Sequence, residues 1–147
     1  MARAGVDPSA VLFTHPVKVP GDIARAWRAG TMVATVIDAA WRHGTVRVSL
    51  DAGAFHGLIE ALESGRELRF PVTIPAAGGR ILVPCSLTGP SCDSQDTILD
   101  DVWLPMPRAG DQVLIGNAGA YTTCYSGRSA FNGYRAPSVR VSRAGRA

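Results

Sequence analysis

The sequence predicts a mainly β domain, an antiparallel β-barrel or sandwich with one internal helix, preceded by an N-terminal strand–loop–helix unit. Three observations predict it. From residue 31 onward, short runs rich in β-branched residues recur, each bounded by Pro or Gly. TVRVSL (45–50) alternates so that Val46, Val48 and Leu50 share one face. A single stretch, Phe55, Leu58, Ile59 and Leu62, follows helical spacing instead. With 147 residues and 46% hydrophobic content, the chain is of single-domain size and can bury a real core.

The elements follow in order. Residues 1–30 differ from the rest: Val11-Leu12-Phe13 reads as a short strand, HPVKVPGD (15–22) as a loop, and Asp22 caps a helix over 23–29 that Gly30 ends. Such a unit normally repeats in a parallel α/β barrel and cannot bury both its sides alone. The β domain spans 31–143. TMVATVIDAA (31–40) and TVRVSL open it, and a helix of about three turns follows, stopped by Gly65. LRFPVTI (68–74) and RILVPCSL (80–87) read as strands around the turn PAAGG (75–79), with Pro71 and Pro84 marking edges or bulges. DQVLI (111–115), YTTCY (121–125) and PSVRV (137–141) complete the set, and residues 144–147 form a frayed tail.

Composition excludes several function classes. Net charge is +3, carried by arginines scattered along the chain apart from Arg140, Arg143 and Arg146. No basic face with interleaved aromatics points to nucleic acid. No apolar run reaches the length of a membrane span or a signal segment. Cys85, Cys92 and Cys124 are odd in number and form no CxxC pair, which suits a reduced, cytoplasmic compartment. His15, His43 and His56 are too far apart for metal-ligand spacing, so no metal site is expected.

The residues that carry chemistry cluster around GPSCDSQD (89–96) and AGAY (118–121). A Gly-Pro-Ser turn presents the Cys92 thiol, whose ordinary pKa of about 8.5 lets it give a proton to a carbanion near neutral pH. Asp93 beside it can pair with an ammonium group. Tyr121 follows three small residues that let a ligand approach the backbone, and its hydroxyl can donate to a phosphate oxygen. Plainer roles fit the same residue types: a small buried thiol for Cys92, turn caps for Asp93 and Asp51, a core or rim position for Tyr121.

A resemblance weighs against those plainer roles. GPSCDSQD, then LP at 104–105, GD at 110–111, AGAYT at 118–122 and FNGY at 131–134, resembles the C-terminal domain of fold-type III pyridoxal-phosphate-dependent decarboxylases, the alanine-racemase-like sheet domain. LDAGAFHGLIEAL (50–62) is similar to the segment just upstream in that family. The likeness spans roughly residues 30–141 and is greatest to the ornithine decarboxylase branch. Diaminopimelate decarboxylases usually carry Glu where this chain has Asp93. The resemblance implies that Cys92 is the thiol that protonates the carbanion after carbon dioxide leaves. It implies that Asp93 and Asp51 hold the distal ammonium of the substrate and that Tyr121 contacts the cofactor phosphate. It further implies a dimer in which Cys92 and Asp93 reach into the partner's site while Asp51 and Tyr121 serve the chain's own.

The same resemblance implies what is missing. Pyridoxal phosphate acts as an electron sink when bound to an active-site lysine. Lys18 is the only lysine, and its HPVK context resembles a later barrel unit of the family rather than the Schiff-base lysine. Residues 1–30 thus resemble a remnant of the large (β/α)8 barrel. The expectation is an ornithine-decarboxylase-like protein of polyamine biosynthesis that does not bind the cofactor covalently or decarboxylate alone. The chain is expected as a homodimer or as a heterodimer with a full-length decarboxylase. Two alternatives accompany it: an accessory or regulatory subunit donating Cys92 and Asp93 in trans, and a non-catalytic β-barrel binding module.

Overall fold

Six strands form one barrel-like sheet in a computed structural model that describes residues 28–63, 70–119 and 138. The strands are β1 (Thr31–Arg42), β2 (Thr45–Leu50), β3 (Val72–Thr73), β4 (Leu82–Thr88), β5 (Thr97–Pro105) and β6 (Gln112–Gly116). Their spatial order is β3-β6-β1-β2-β4-β5. The expected strands at 11–13 and 121–125 lie outside the described residues, as do that at 137–141 except for Ser138, Lys18, Tyr121, Cys124 and all of the 23–29 helix except its last two residues.

β1 is the hinge of the sheet. Its first half, Thr31–Thr35, pairs with β6, and its second half, from Val36, pairs with β2. The register slips between Val36 and Asp38, leaving Ile37 as an extra residue. Such a bulge bends one strand so that it can serve two sheets. β1 and β2 are joined by His43-Gly44, both at positive φ (48° and 85°). That is the twist a two-residue hairpin requires, and only Gly adopts it without cost.

The alternation in β2 holds: Val46, Val48 and Leu50 are fully buried, and Arg47 is exposed. They join Met32, Ala34, Val36, Val83, Leu87, Ile98, Val113 and Ile115 in one continuous core. The sheet is antiparallel except where β2 and β4 run parallel, Val46 opposite Cys85 and Ser49 opposite Thr88. A parallel pair needs a long crossover. Residues 51–81 supply it, and β3 lies within it, paired with β6 rather than with β4.

Three local expectations are corrected. The three-turn helix is instead a 3₁₀ turn (Ala54–His56) and one short helix, α1 (Glu60–Glu63). Gly57 at φ 150° separates them; of the expected stripe Leu58 is buried while Phe55, Ile59 and Leu62 are half-buried, and Ala54, His56 and Ala61 are buried as well. Of the strand expected over 68–74, residues 68 and 69 lie outside the described residues, and the described part is strand at Val72–Thr73, beside Pro71, whose carbonyl accepts the Gly116 amide at 2.8 Å. β5 has no counterpart among the expected strands. Asp100 and Asp101 interrupt its apolar pattern, and they occupy a bulge in which Asp101 takes φ 56°.

Arg80 and Asp111 clip the approach to β4 onto the start of β6. The guanidinium forms a two-point ion pair with the carboxylate, and the Arg108 amide donates to the same carboxylate at 2.8 Å. The Arg80 hydrogen bond holds the Asp111 carboxyl below the usual carboxylate range, outweighing the opposite effect of its partial burial. The GD pair at 110–111 therefore serves the structure, because Gly110, at φ 87°, turns the chain so that Asp111 meets Arg80.

Candidate functional site

Two turns at one end of the sheet carry the expected site residues. The first follows β2. Asp51 is exposed, but one carboxylate oxygen accepts the Thr35 amide at 2.6 Å while its own amide donates to the Thr35 carbonyl at 3.0 Å. Asp51 thus acts as a strut at the bend of β1, and its second oxygen remains for a ligand. The chain then turns through Ala52 and Gly53 into the 3₁₀ turn. The Gly53 amide donates to Nδ1 of buried His56 at 3.1 Å, which fixes the proton on the other ring nitrogen.

The second turn, Gly89–Gln95, joins β4 to β5. Cys92 is free and exposed on it. Asp93 is exposed too, and its Oδ1 accepts the Gln95 amide at 2.8 Å, a turn-forming bond two residues on. Its amide donates to the Ser91 hydroxyl at 3.3 Å. The plainer role of a turn cap and the role of an ammonium partner are compatible here, because the cap occupies one carboxylate oxygen and leaves the other available.

The two described thiols differ in kind. Cys85 is fully buried in β4, where burial pushes its thiol up to about 11, against the opposing effect of the Leu104 backbone. Thiolate is the reactive form, so Cys85 is inert near neutral pH. At pH 8, alkylation is expected to modify Cys92 in the folded chain and to reach Cys85 only on unfolding. Peptide mapping of the labelled protein checks this, and equal labelling of both would contradict the burial.

An open depression of about 320 Å³ adjoins this turn through Ser94 and includes Arg42, Arg47, Ser86 and Asp100. The Ser86 hydroxyl donates to Asp100 at 2.6 Å. Two guanidinium groups beside the one carboxylate of Asp100 make this depression unsuited to a cationic amine. Asp51, Cys92 and Asp93 are thus placed on the two turns, whereas Tyr121 lies outside the described residues. Among the described residues no group of three His, Cys, Asp or Glu side chains is arranged to hold a metal ion. Among them, too, no helix is long and apolar enough to cross a membrane.

One residue at the centre of this arrangement is absent from the expected set. Asp96, 1% exposed, accepts the Ala54 amide at 2.8 Å and the Ser91 amide at 3.1 Å, so its carboxylate touches both turns. Its place at the end of GPSCDSQD is the one signal the sequence offers for it.

Known proteins similar to this chain point one way. Residues 12–119 match the family described as pyridoxal-dependent decarboxylase, C-terminal sheet domain. A diaminopimelate decarboxylase of Helicobacter pylori is 46% identical over 48 residues, covering 33% of this chain and 12% of that protein. An ornithine decarboxylase of Cricetulus griseus is 43% identical over 54 residues, covering 37% of this chain and 11% of that one. The crystal structure of lysine/ornithine decarboxylase from Vibrio vulnificus, complexed with cadaverine, superposes with a TM-score of 0.61 at 37% identity. That match covers 72% of this chain and 28% of the solved one. The chain therefore spans little more than a quarter of that solved relative, and the matched segments about an eighth of the curated ones.

Proposed function

Because the chain belongs, through its C-terminal sheet domain, to the pyridoxal-dependent ornithine/diaminopimelate/arginine decarboxylases, we propose that it presents an acid and an ammonium partner to a decarboxylase active site in a neighbouring subunit. Cys92 is the acid. Its S–H proton passes to the carbon from which carbon dioxide has left, and the sulfur is left as thiolate. Asp93 is the carboxylate the chain offers to the distal ammonium in that neighbouring site, and Asp51 is the ammonium-binding carboxylate on the chain's own side. The observation that carries this reading is the Gly89–Gln95 turn, which holds an exposed thiol and an exposed carboxylate side by side on a braced backbone.

Lys18, the one lysine of the sequence, and Tyr121, the expected phosphate contact, both lie outside the described residues. Because the HPVK context of Lys18 resembles a later barrel unit rather than the Schiff-base lysine, the chain alone is proposed neither to bind pyridoxal phosphate covalently nor to decarboxylate. Asp93, rather than Glu, favours a substrate with a distal ammonium and no second carboxylate, as in ornithine or lysine. A cytoplasmic dimer, of two copies or with a full-length decarboxylase, is the assembly proposed. Large apolar side chains support a partner: Leu82 and Trp103 are 61% and 64% exposed on β4 and β5.

Mixing tests this. Co-expressed with a full-length ornithine-type decarboxylase whose own proton-donating cysteine has been replaced by alanine, the chain is expected to co-elute with it. It should also restore part of the normal amine product. Cys92→Ala should keep the co-elution and lose the restoration. Absence of a complex, or restoration that survives Cys92→Ala, would defeat the proposal. An accessory subunit that blocks the site would instead co-elute and lower the rate. A binding module unrelated to catalysis would do neither.

A further inference from the structure

The polar groups of Asp96 join the two turns. Its Oδ1 accepts from Ala54 in the first turn, and its Oδ2 accepts from Ser91 in the second. Its amide donates to the Asp93 carbonyl at 3.0 Å, and its carbonyl accepts the Gly89 amide at 2.8 Å. Two glycines make room for it, one in each turn. A Cβ at Gly53 or at Gly89 would overlap the Asp96 carboxylate. The turns also touch directly, since a Cβ at Gly53 would lie 2.6 Å from the Gly89 Cα.

A buried carboxylate is costly unless its oxygens are satisfied, and an apolar side chain would fill the same space at lower cost. What the carboxylate supplies is two acceptors on one rigid plane, one for each turn.

We propose that Asp96 is the positioning residue of this site, a clamp that makes the Asp51 turn and the Cys92–Asp93 turn one body. Neither turn can shift without breaking a charge-assisted bond to the other. The catalytic consequence rests on the function proposed above: if Asp51 serves the chain's own site while Cys92 and Asp93 serve a neighbour's, Asp96 couples the two sites mechanically. The clamp itself is a property of the isolated chain.

The test is made on that chain. In Asp96→Asn, one of the two acceptors becomes a donor facing an amide. Hydrogen exchange at both Ala54 and Ser91 is expected to speed up about tenfold, as loss of a hydrogen bond of that strength implies. The Cys92 alkylation rate should change severalfold over the same pH range, while Cys85 and the β2 and β4 amides keep wild-type protection. Loosening of one turn alone, or of both with Cys92 unchanged, would overturn the clamp. If the variant does not fold, the wild-type chain in mild urea decides. The Ala54 and Ser91 amides should share a single opening curve below that of global unfolding, and separate curves refute the proposal. None of these measurements needs a decarboxylase partner, so the clamp and the proposed function can fail independently.

Discussion

Leu87→Ala is expected to destabilise the chain by about 2–5 kcal/mol, the range for removing a large aliphatic side chain from a core that collapses only partly. Leu87 lies in β4, paired with Val48 on the parallel side and Leu99 on the antiparallel side. Leu87 and Val48 are fully buried and Leu99 nearly so. At this junction the ladder changes sense, so neither neighbour can slide inward without losing register. A loss of this size is a large share of the stability of an ordinary domain. It should also reach the site. Leu87 leads directly into Thr88, whose hydroxyl donates to the Val48 carbonyl at 3.3 Å, and then into the Gly89–Gln95 turn. Urea titration followed by fluorescence or circular dichroism measures the effect. A loss under about 1 kcal/mol with an unchanged slope would contradict this burial.

What is legible in the sequence is what is encoded locally. TVRVSL is legible because strict alternation on a half-buried strand needs no tertiary knowledge, and the structure buries its three apolar residues. Cys92 is legible as a reachable thiol because Gly-Pro-Ser makes a turn in almost any context. β5 is not legible, because two aspartates in its middle resemble a loop until the sheet is seen to bulge around them. The helical stretch misleads because four apolar residues at helical spacing outweigh Gly57, whose backbone breaks the run. The parallel pairing of β2 with β4 joins segments about 40 residues apart through an irregular crossover, and no local pattern encodes it. Asp96 shows the limit most clearly. By type it is the same as Asp93, three residues earlier, yet one carboxylate is buried between two glycines and the other is exposed. Only the meeting of the two turns distinguishes them.

Gly30→Ala is expected to cost about 1–3 kcal/mol or more, as overpacking against a structure that cannot yield. The new Cβ would sit 2.5 Å from the carbonyl carbon and oxygen of Ala118 and from the Gly119 nitrogen. These are backbone atoms, so no rotamer change relieves the contact. The Ala118 amide also donates to the Gly30 carbonyl at 2.9 Å, which holds the two segments at this close approach. The start of β1 and the chain leaving β6 must therefore part, or the bond must break. Gly78 provides the control. It has φ −53° and ψ 137°, values any residue adopts, with nothing within 4 Å of a built Cβ. Gly78→Ala should be neutral or stabilising by about 0.4–1 kcal/mol through the unfolded chain. Thermal melts of the two variants should thus separate, Gly30→Ala falling well below the parent and Gly78→Ala staying level or rising, and similar shifts would refute the close approach.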